Sequence, residues 1–158
     1  MLGRLRRVRG DERGFTLVEL TIVIVLMGIV FAIASSTWFD AIDSRNVDSA
    51  TNQVAADLRL THTRATNRLA DYTFEVPSDS SSTYQIGPTG GALVTQPLPE
   101  GTQIATTSTI VFKANGEAEV TSGAPSPIRV ELSKDTTNYH EIEFNSVTSR
   151  IRVCTASC

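Results

Sequence analysis

Gly10-Asp11-Glu12-Arg13-Gly14-Phe15-Thr16-Leu17-Val18-Glu19-Leu20 is the stretch on which the reading of this chain turns. A basic leader ends in glycine, phenylalanine follows, and one glutamate stands five places into an apolar span. From Phe15 to Ala34 the only interruptions are Thr16, Glu19 and Thr21, and Ile22 to Ala34 is unbroken. Twenty helical residues rise about 30 Å, enough to cross a bilayer core. A carboxylate near mid-bilayer costs about 2.5–3.5 kcal/mol even on lenient insertion scales. Glu19 therefore asks for a partner.

Upstream, Met1 to Gly14 carries Arg4, Arg6, Arg7, Arg9 and Arg13 against Asp11 and Glu12, a net of +3 from five basic and two acidic residues. Such a leader stays cytoplasmic by the positive-inside rule. Two plainer readings stand beside any special one. The apolar run serves as an ordinary signal anchor, or as a secretory signal peptide cut near Ala32-Ile33-Ala34-Ser35.

The Gly14-Phe15 junction, the glutamate at Glu19 and the apolar run directly behind them resemble the processing site of type IV prepilins and type II secretion pseudopilins. The resemblance implies that a prepilin peptidase cuts between Gly14 and Phe15 and methylates the new Phe15 terminus. It also implies that Glu19 pairs with the Phe15 ammonium of a neighbouring subunit as the helix passes from lipid into a filament. The implied partners are that peptidase, other pilin or pseudopilin subunits packed through the N-terminal helix, an inner-membrane assembly platform, and membrane lipid before assembly. The implied location is the bacterial inner membrane, crossed once, with the globular part in the periplasm or exterior, and then the pilus or pseudopilus. Where many family members carry proline, this chain has Ser35-Ser36-Thr37, so no proline kink is predicted. Serine and threonine can still bend a helix through its carbonyls.

Without the leader the chain has nine basic and fifteen acidic residues, a net of −6, which does not suit a generally basic nucleic-acid binder. Val47, Val54, Leu58, Thr61, Ala65 and Leu69 recur at helical spacing and form one stripe. No proline occurs before Pro77, so either one helix runs from about Phe15 to Leu69 or two helices break around residues 35–43. From Asp71 the pattern changes. Strands are expected at Tyr72–Val76, Tyr84–Ile86, Thr109–Phe112, Ile128–Leu132, His140–Phe144 and Arg150–Val153, a loop at Gly87–Gly91, and a hairpin turn at Asn115-Gly116. The expected architecture is α+β, pilin-like: a leader at 1–14, a transmembrane and filament-core helix at 15–38, an amphipathic helix at 39–70, and an antiparallel β-sheet domain at 71–158.

The C-terminal half carries a second resemblance. Ile110-Val111-Phe112-Lys113-Ala114-Asn115-Gly116 together with Ser149-Arg150-Ile151-Arg152 is similar to the H-type minor pseudopilin and FimT-type minor pilin group. For the latter it implies DNA capture during natural transformation through Arg150 and Arg152, with Ser149 standing where that motif has glycine. Two arginines at i and i+2 share a strand face and can bridge phosphates. The competing reading pairs them in a hairpin turning at Ser146-Val147, which sets Glu143 opposite Arg150 and Glu141 opposite Arg152 as surface ion pairs. Residues 71–158 hold five basic and ten acidic residues, which opposes phosphate binding.

Cys154 and Cys158 suit a small disulfide loop in an oxidising compartment, with free thiols or inter-subunit bridges as alternatives. One CxxxC with His62 and His140 far off in sequence makes no metal site. Asp79-Ser80-Ser81-Ser82 lacks the carboxylates of a calcium loop and reads as a solvated turn. His140 is expected on the inner side of its strand. No nucleophile elbow, phosphate loop or HExxH occurs, so the expectation is a noncatalytic subunit without a cofactor. A plain membrane-anchored exterior domain is the remaining alternative.

Overall fold

The computed structural model describes residues 15–123, 127–145 and 150–155. Its first element is a single helix, α1, Leu17–Arg68. Nine strands follow: β1 Tyr72–Val76, β2 Thr83–Pro88, β3 Val94–Pro97, β4 Thr102–Ile104, β5 Ser108–Phe112, β6 Ala118–Gly123, β7 Ile128–Leu132, β8 Tyr139–Phe144 and β9 Ile151–Thr155. The α+β class is as expected. The chain divides into two compact units, one ending at Phe39 and one beginning at Asp40.

In the first unit the helix starts at a threonine cap. Thr16 Oγ1 accepts the Glu19 backbone N–H at 3.1 Å, and the Thr16 carbonyl accepts the Leu20 N–H at 3.2 Å. Thr16-x-x-Glu19 is the capping-box pattern, which places a carboxylate in the first turn, where the helix dipole favours it. Thr21 returns its hydroxyl to the Val18 carbonyl at 2.8 Å, so it presents no unsatisfied donor. Beyond this cap the segment presents apolar side chains: Leu17, Ile24, Val30 and Ile33 are all more than half exposed.

In the second unit the same helix becomes one-sided. Val47, Ala50, Val54, Leu58 and Ala65 are completely buried, an i, i+3, i+4, i+7 stripe against the strands. Thr51 and Thr61 also lie in the buried stripe, and each hands its hydroxyl to the carbonyl four residues back, at 2.7 and 2.6 Å. Burying a leucine or valine side chain contributes about 1.5–3 kcal/mol each, so this stripe holds the helix on the sheets. Leu69 does not belong to it. The helix ends at Arg68, and Leu69 is 80 % exposed with φ of 51°. The Ala70 N–H reaches back to the Ala65 carbonyl at 3.2 Å, the long bond of a Schellman cap with Leu69 in the left-handed position.

The strands form two antiparallel sheets, where one was expected. The first has the order β3-β2-β1-β5-β6 and the second β4-β7-β8-β9. β1 is central to the first, with Phe74 opposite both Ile86 and Ile110, and the Phe74 ring stacks on Tyr84 with centroids 5.2 Å apart. Asn115-Gly116 does turn a hairpin. Lys113 and Glu117 close it, and Gly116 takes φ of 90° at a position that suits glycine. The expected loop at Gly87–Gly91 is shorter than read, because Gly87 and Pro88 extend β2.

Residues 79–82 are a junction between the sheets. Ser81 is buried and bridges Ile104, while Asp79 Oδ1 accepts the Thr107 N–H at 2.6 Å. β7 also departs from simple alternation, since Glu131 is only 5 % exposed. Arg129 Nε lies 3.0 Å from its carboxylate, Gln103 donates to it at 3.0 Å, and the Arg129 guanidinium sits 3.7 Å from the centre of the Tyr139 ring. A buried carboxylate needs this pairing, because removing one partner of such a pair costs about 3–5 kcal/mol.

Candidate functional site

The residues singled out in the sequence fall at two places, and these differ in kind. The first is the start of α1. Phe15 precedes the helix and is 87 % exposed; Gly14, the proposed residue before the cut, lies outside the described residues. Glu19 sits in the first turn of a helix whose apolar window has a mean hydropathy of 2.8, long and apolar enough to cross a membrane. Among the described residues its carboxylate has no side-chain partner. The arrangement is an anion in the first turn of an exposed apolar helix.

The second place is β9, the edge of the second sheet. Arg150 and Arg152 line a shallow depression with Glu143 and Asn145. The register differs by two residues from the one expected. Glu143 faces Arg152, Glu141 faces Cys154 and Ile142 faces Val153. Arg150 lies opposite Asn145, whose N–H donates to the Arg150 carbonyl at 3.0 Å. The physical reason is the connection. The bond from Asn145 to Arg150 leaves residues 146–149 to span it, where the two-residue turn at Ser146-Val147 would have closed the strands sooner. A shift of two keeps the alternation of side chains, and β8 has the buried Ile142 and Phe144 that were anticipated. β9 lacks the clean buried face expected of it, since Ile151 is only partly buried and Val153 is exposed, and the ion pairs differ too. Arg152 keeps a loose one, 3.8 Å to Glu143, and Arg150 has none among the described residues. Arg59 of α1 also arrives here, its Nη2 at 3.5 Å from the Ile151 carbonyl.

Other expected residues have structural settings. His140 is on the inner side of β8, 13 % exposed, with Nδ1 3.3 Å from Asp48 of α1. His62 contacts the Gly116 carbonyl at 3.2 Å and the Phe112 ring edge-on. No cluster of His, Cys, Asp and Glu able to hold a metal occurs among the described residues. Cys154 lies on β9, and its proposed partner Cys158 lies outside the described residues, as does Ser149.

Sequence reading missed two polar features. Tyr84 donates to Asp57 at 2.5 Å and receives Gln53 at 3.1 Å, and burial followed by the Asp57 bond pushes its phenol well above the usual range. Only the fold brings these three together. The Thr16 cap, by contrast, was legible as Thr-x-x-Glu.

Two family models match the chain. The prokaryotic N-terminal methylation motif covers residues 9–35, and type II transport protein GspH covers residues 50–156, about two thirds of the sequence. No curated protein and no solved structure matches it. The methylation motif spans the capped start of α1 and its apolar run, and the second match spans the stripe of α1 and both sheets. The chain thus belongs to the type II transport protein GspH family, as a type IV prepilin-like pseudopilin.

Proposed function

We propose that this protein is a noncatalytic minor pilin or pseudopilin subunit, cut between Gly14 and Phe15, methylated at Phe15, and assembled into or priming a filament through α1. The observation that carries the reading is the lone carboxylate of Glu19 at the head of an apolar helix exposed on all sides, inside the methylation motif. A helix with that surface is soluble only in lipid or among other such helices. A neighbour's Phe15 ammonium is the group that makes Glu19 affordable there. The inner-membrane assembly platform and other subunits are the partners this role requires, with the domain from Asp40 onward outside the cytoplasm. In that oxidising compartment Cys154 and Cys158 would pair and pin the tail to β9.

The test is intact-mass analysis of the protein extracted from membranes of cells expressing a prepilin peptidase. The expected species begins at methylated Phe15. A chain still starting at Met1 would leave only an ordinary anchor, and one starting after Ala34 would make the segment a secretory signal.

A second reading has a specific observation behind it: the register leaves Arg150 without a cross-strand carboxylate and brings Arg59 to the same strand. Such a cluster suits DNA phosphates. The full chain in detergent micelles, titrated with duplex DNA at several salt concentrations, separates the two readings. Binding that falls with salt and disappears in Arg150→Ala/Arg152→Ala makes this a DNA-capturing subunit. No binding at low salt leaves the arginines as surface groups of an assembly subunit.

A further inference from the structure

A groove of about 360 Å³ lies between the last two turns of α1 and the β2–β3 hairpin. Arg64 and Arg68 form one wall, one helical turn apart and both exposed. Arg68 is held in place, its Nη1 donating to the Tyr72 hydroxyl at 2.9 Å. The opposite wall is β3, the free edge of the five-stranded sheet, where Val94 is 57 % exposed and Gln96 offers an amide. No carboxylate lines the groove, and neither arginine forms an ion pair among the described residues. In contrast, Lys113, Arg129, Lys134 and Arg152 each have an acidic partner. Two unneutralised guanidiniums beside bare apolar surface, in a domain with twice as many acidic as basic residues beyond Asp71, are a local inversion of charge.

We propose that this groove docks an extended acidic segment of a partner protein, with two carboxylates two residues apart on Arg64 and Arg68 and an apolar neighbour against Val94. Spacing favours that occupant. Side chains at i and i+4 of a helix stand about 5–6 Å apart, close to the roughly 7 Å between same-face residues of an extended strand. Chemistry favours it too. Arginine pairs bidentately with carboxylates, and the unpaired β3 edge is a template for an added strand. A duplex would need a longer stripe of cations and would gain nothing from Val94. The inference stands whether or not the chain enters a filament.

The experiment uses the full chain in detergent micelles with nitrogen-15 labelled arginine. The probe is a blocked pentapeptide, Leu-Glu-Thr-Glu-Leu, and its controls are the Gln-for-Glu version, inorganic phosphate and a short DNA duplex. The expected result is saturable movement of the Arg64 and Arg68 Nε–H signals with the acidic peptide, weakening as salt rises. Arg64→Ala/Arg68→Ala should weaken binding at least about tenfold, and Val94→Ser about threefold. Both arginines are exposed, so the double variant should keep its fold, and the signals of the unaltered protein give the answer independently of it. Unmoved arginine signals overturn the proposal. So does equal binding of the Gln peptide, or displacement by phosphate or duplex at the same concentration, which would make the groove a general anion site.

Discussion

Leu26 and Leu58 share one helix and one side chain, but Leu26 is 57 % exposed and Leu58 is completely buried. Before Phe39, α1 is apolar around its whole circumference and carries its single carboxylate at the first turn. After Asp40 it is apolar on one face only, and that face is filled by two sheets. The difference shows where each half gets its stability. The second half is held by its own domain, whereas the first must be completed by lipid or by other chains. Periodicity is the sequence's record of that division: an unbroken run means an external apolar partner, and a stripe means an internal one.

The largest effect should come from the first half and leave the second untouched. Glu19→Ala removes the anion that a neighbour's terminus would neutralise. We expect processing at Phe15 to persist while incorporation into filaments falls more than tenfold, measured by comparing intact mass with the sheared filament fraction. Normal incorporation would mean that the Glu19 carboxylate has no part in assembly, and the contrast between the halves would lose its functional content.

The same substitution in both halves sharpens the contrast. Leu58→Ala should destabilise the domain by about 3 kcal/mol, from lost transfer energy and the cavity left behind. Leu26→Ala should change thermal unfolding of that domain by less than about 0.5 kcal/mol. Equal shifts in the two variants would show that the halves fold as one cooperative unit.

How much of this was readable follows from the same division. The membrane run, the stripe from Val47 to Ala65 and the strands β1, β7 and β8 were visible, since each repeats with its own period over enough residues. β3 and β4 were not. Val94-Thr95-Gln96-Pro97 and Thr102-Gln103-Ile104 are short edge segments with no alternation to read, and they exist because the neighbouring strands β2 and β7 pair with them. The split into two sheets was hidden for a related reason, since it rests on the junction at Ser81 and Ile104, a long-range bridge without a local signature. At the candidate site, residue types and the faces of β8 were legible. The exposure of Val153 on the edge strand and the pairing of Glu143 with Arg152 depended on position in the sheet and on a connection length that the sequence leaves open. The groove at Arg64 and Arg68 needed the fold outright.

Within the domain, the polar contact of Tyr84 gives a smaller and pH-dependent effect. Tyr84→Phe removes the bonds to Asp57 and Gln53 and should cost about 1–1.5 kcal/mol at neutral pH. Burial and then the Asp57 bond raise the phenol's folded pKa above its ordinary value of about 10. A group raised on folding contributes stability that is fully present below its unfolded pKa and lost as pH rises beyond it. The unaltered protein should therefore lose stability above about pH 10, and Tyr84→Phe should flatten that decline. Parallel alkaline unfolding curves for the two proteins would count against a buried, neutral Tyr84.

The smallest effect lies where the helix stops. Leu69 takes φ of 51° with its side chain in solvent, so it gives the cap its shape and receives no packing in return. A left-handed conformation costs an L-residue about 1–2 kcal/mol. Glycine avoids that cost but has more freedom to lose on folding, about 0.4–1 kcal/mol. Leu69→Gly should accordingly stabilise the domain by about 0.5 kcal/mol, seen as a slightly higher unfolding midpoint with the helix content unchanged. The sign matters more than the size. A loss of stability would mean that glycine's extra freedom in the unfolded chain outweighs the left-handed strain at Leu69. The cap would then owe its shape to the bond from Ala70 to Ala65 rather than to the residue between them.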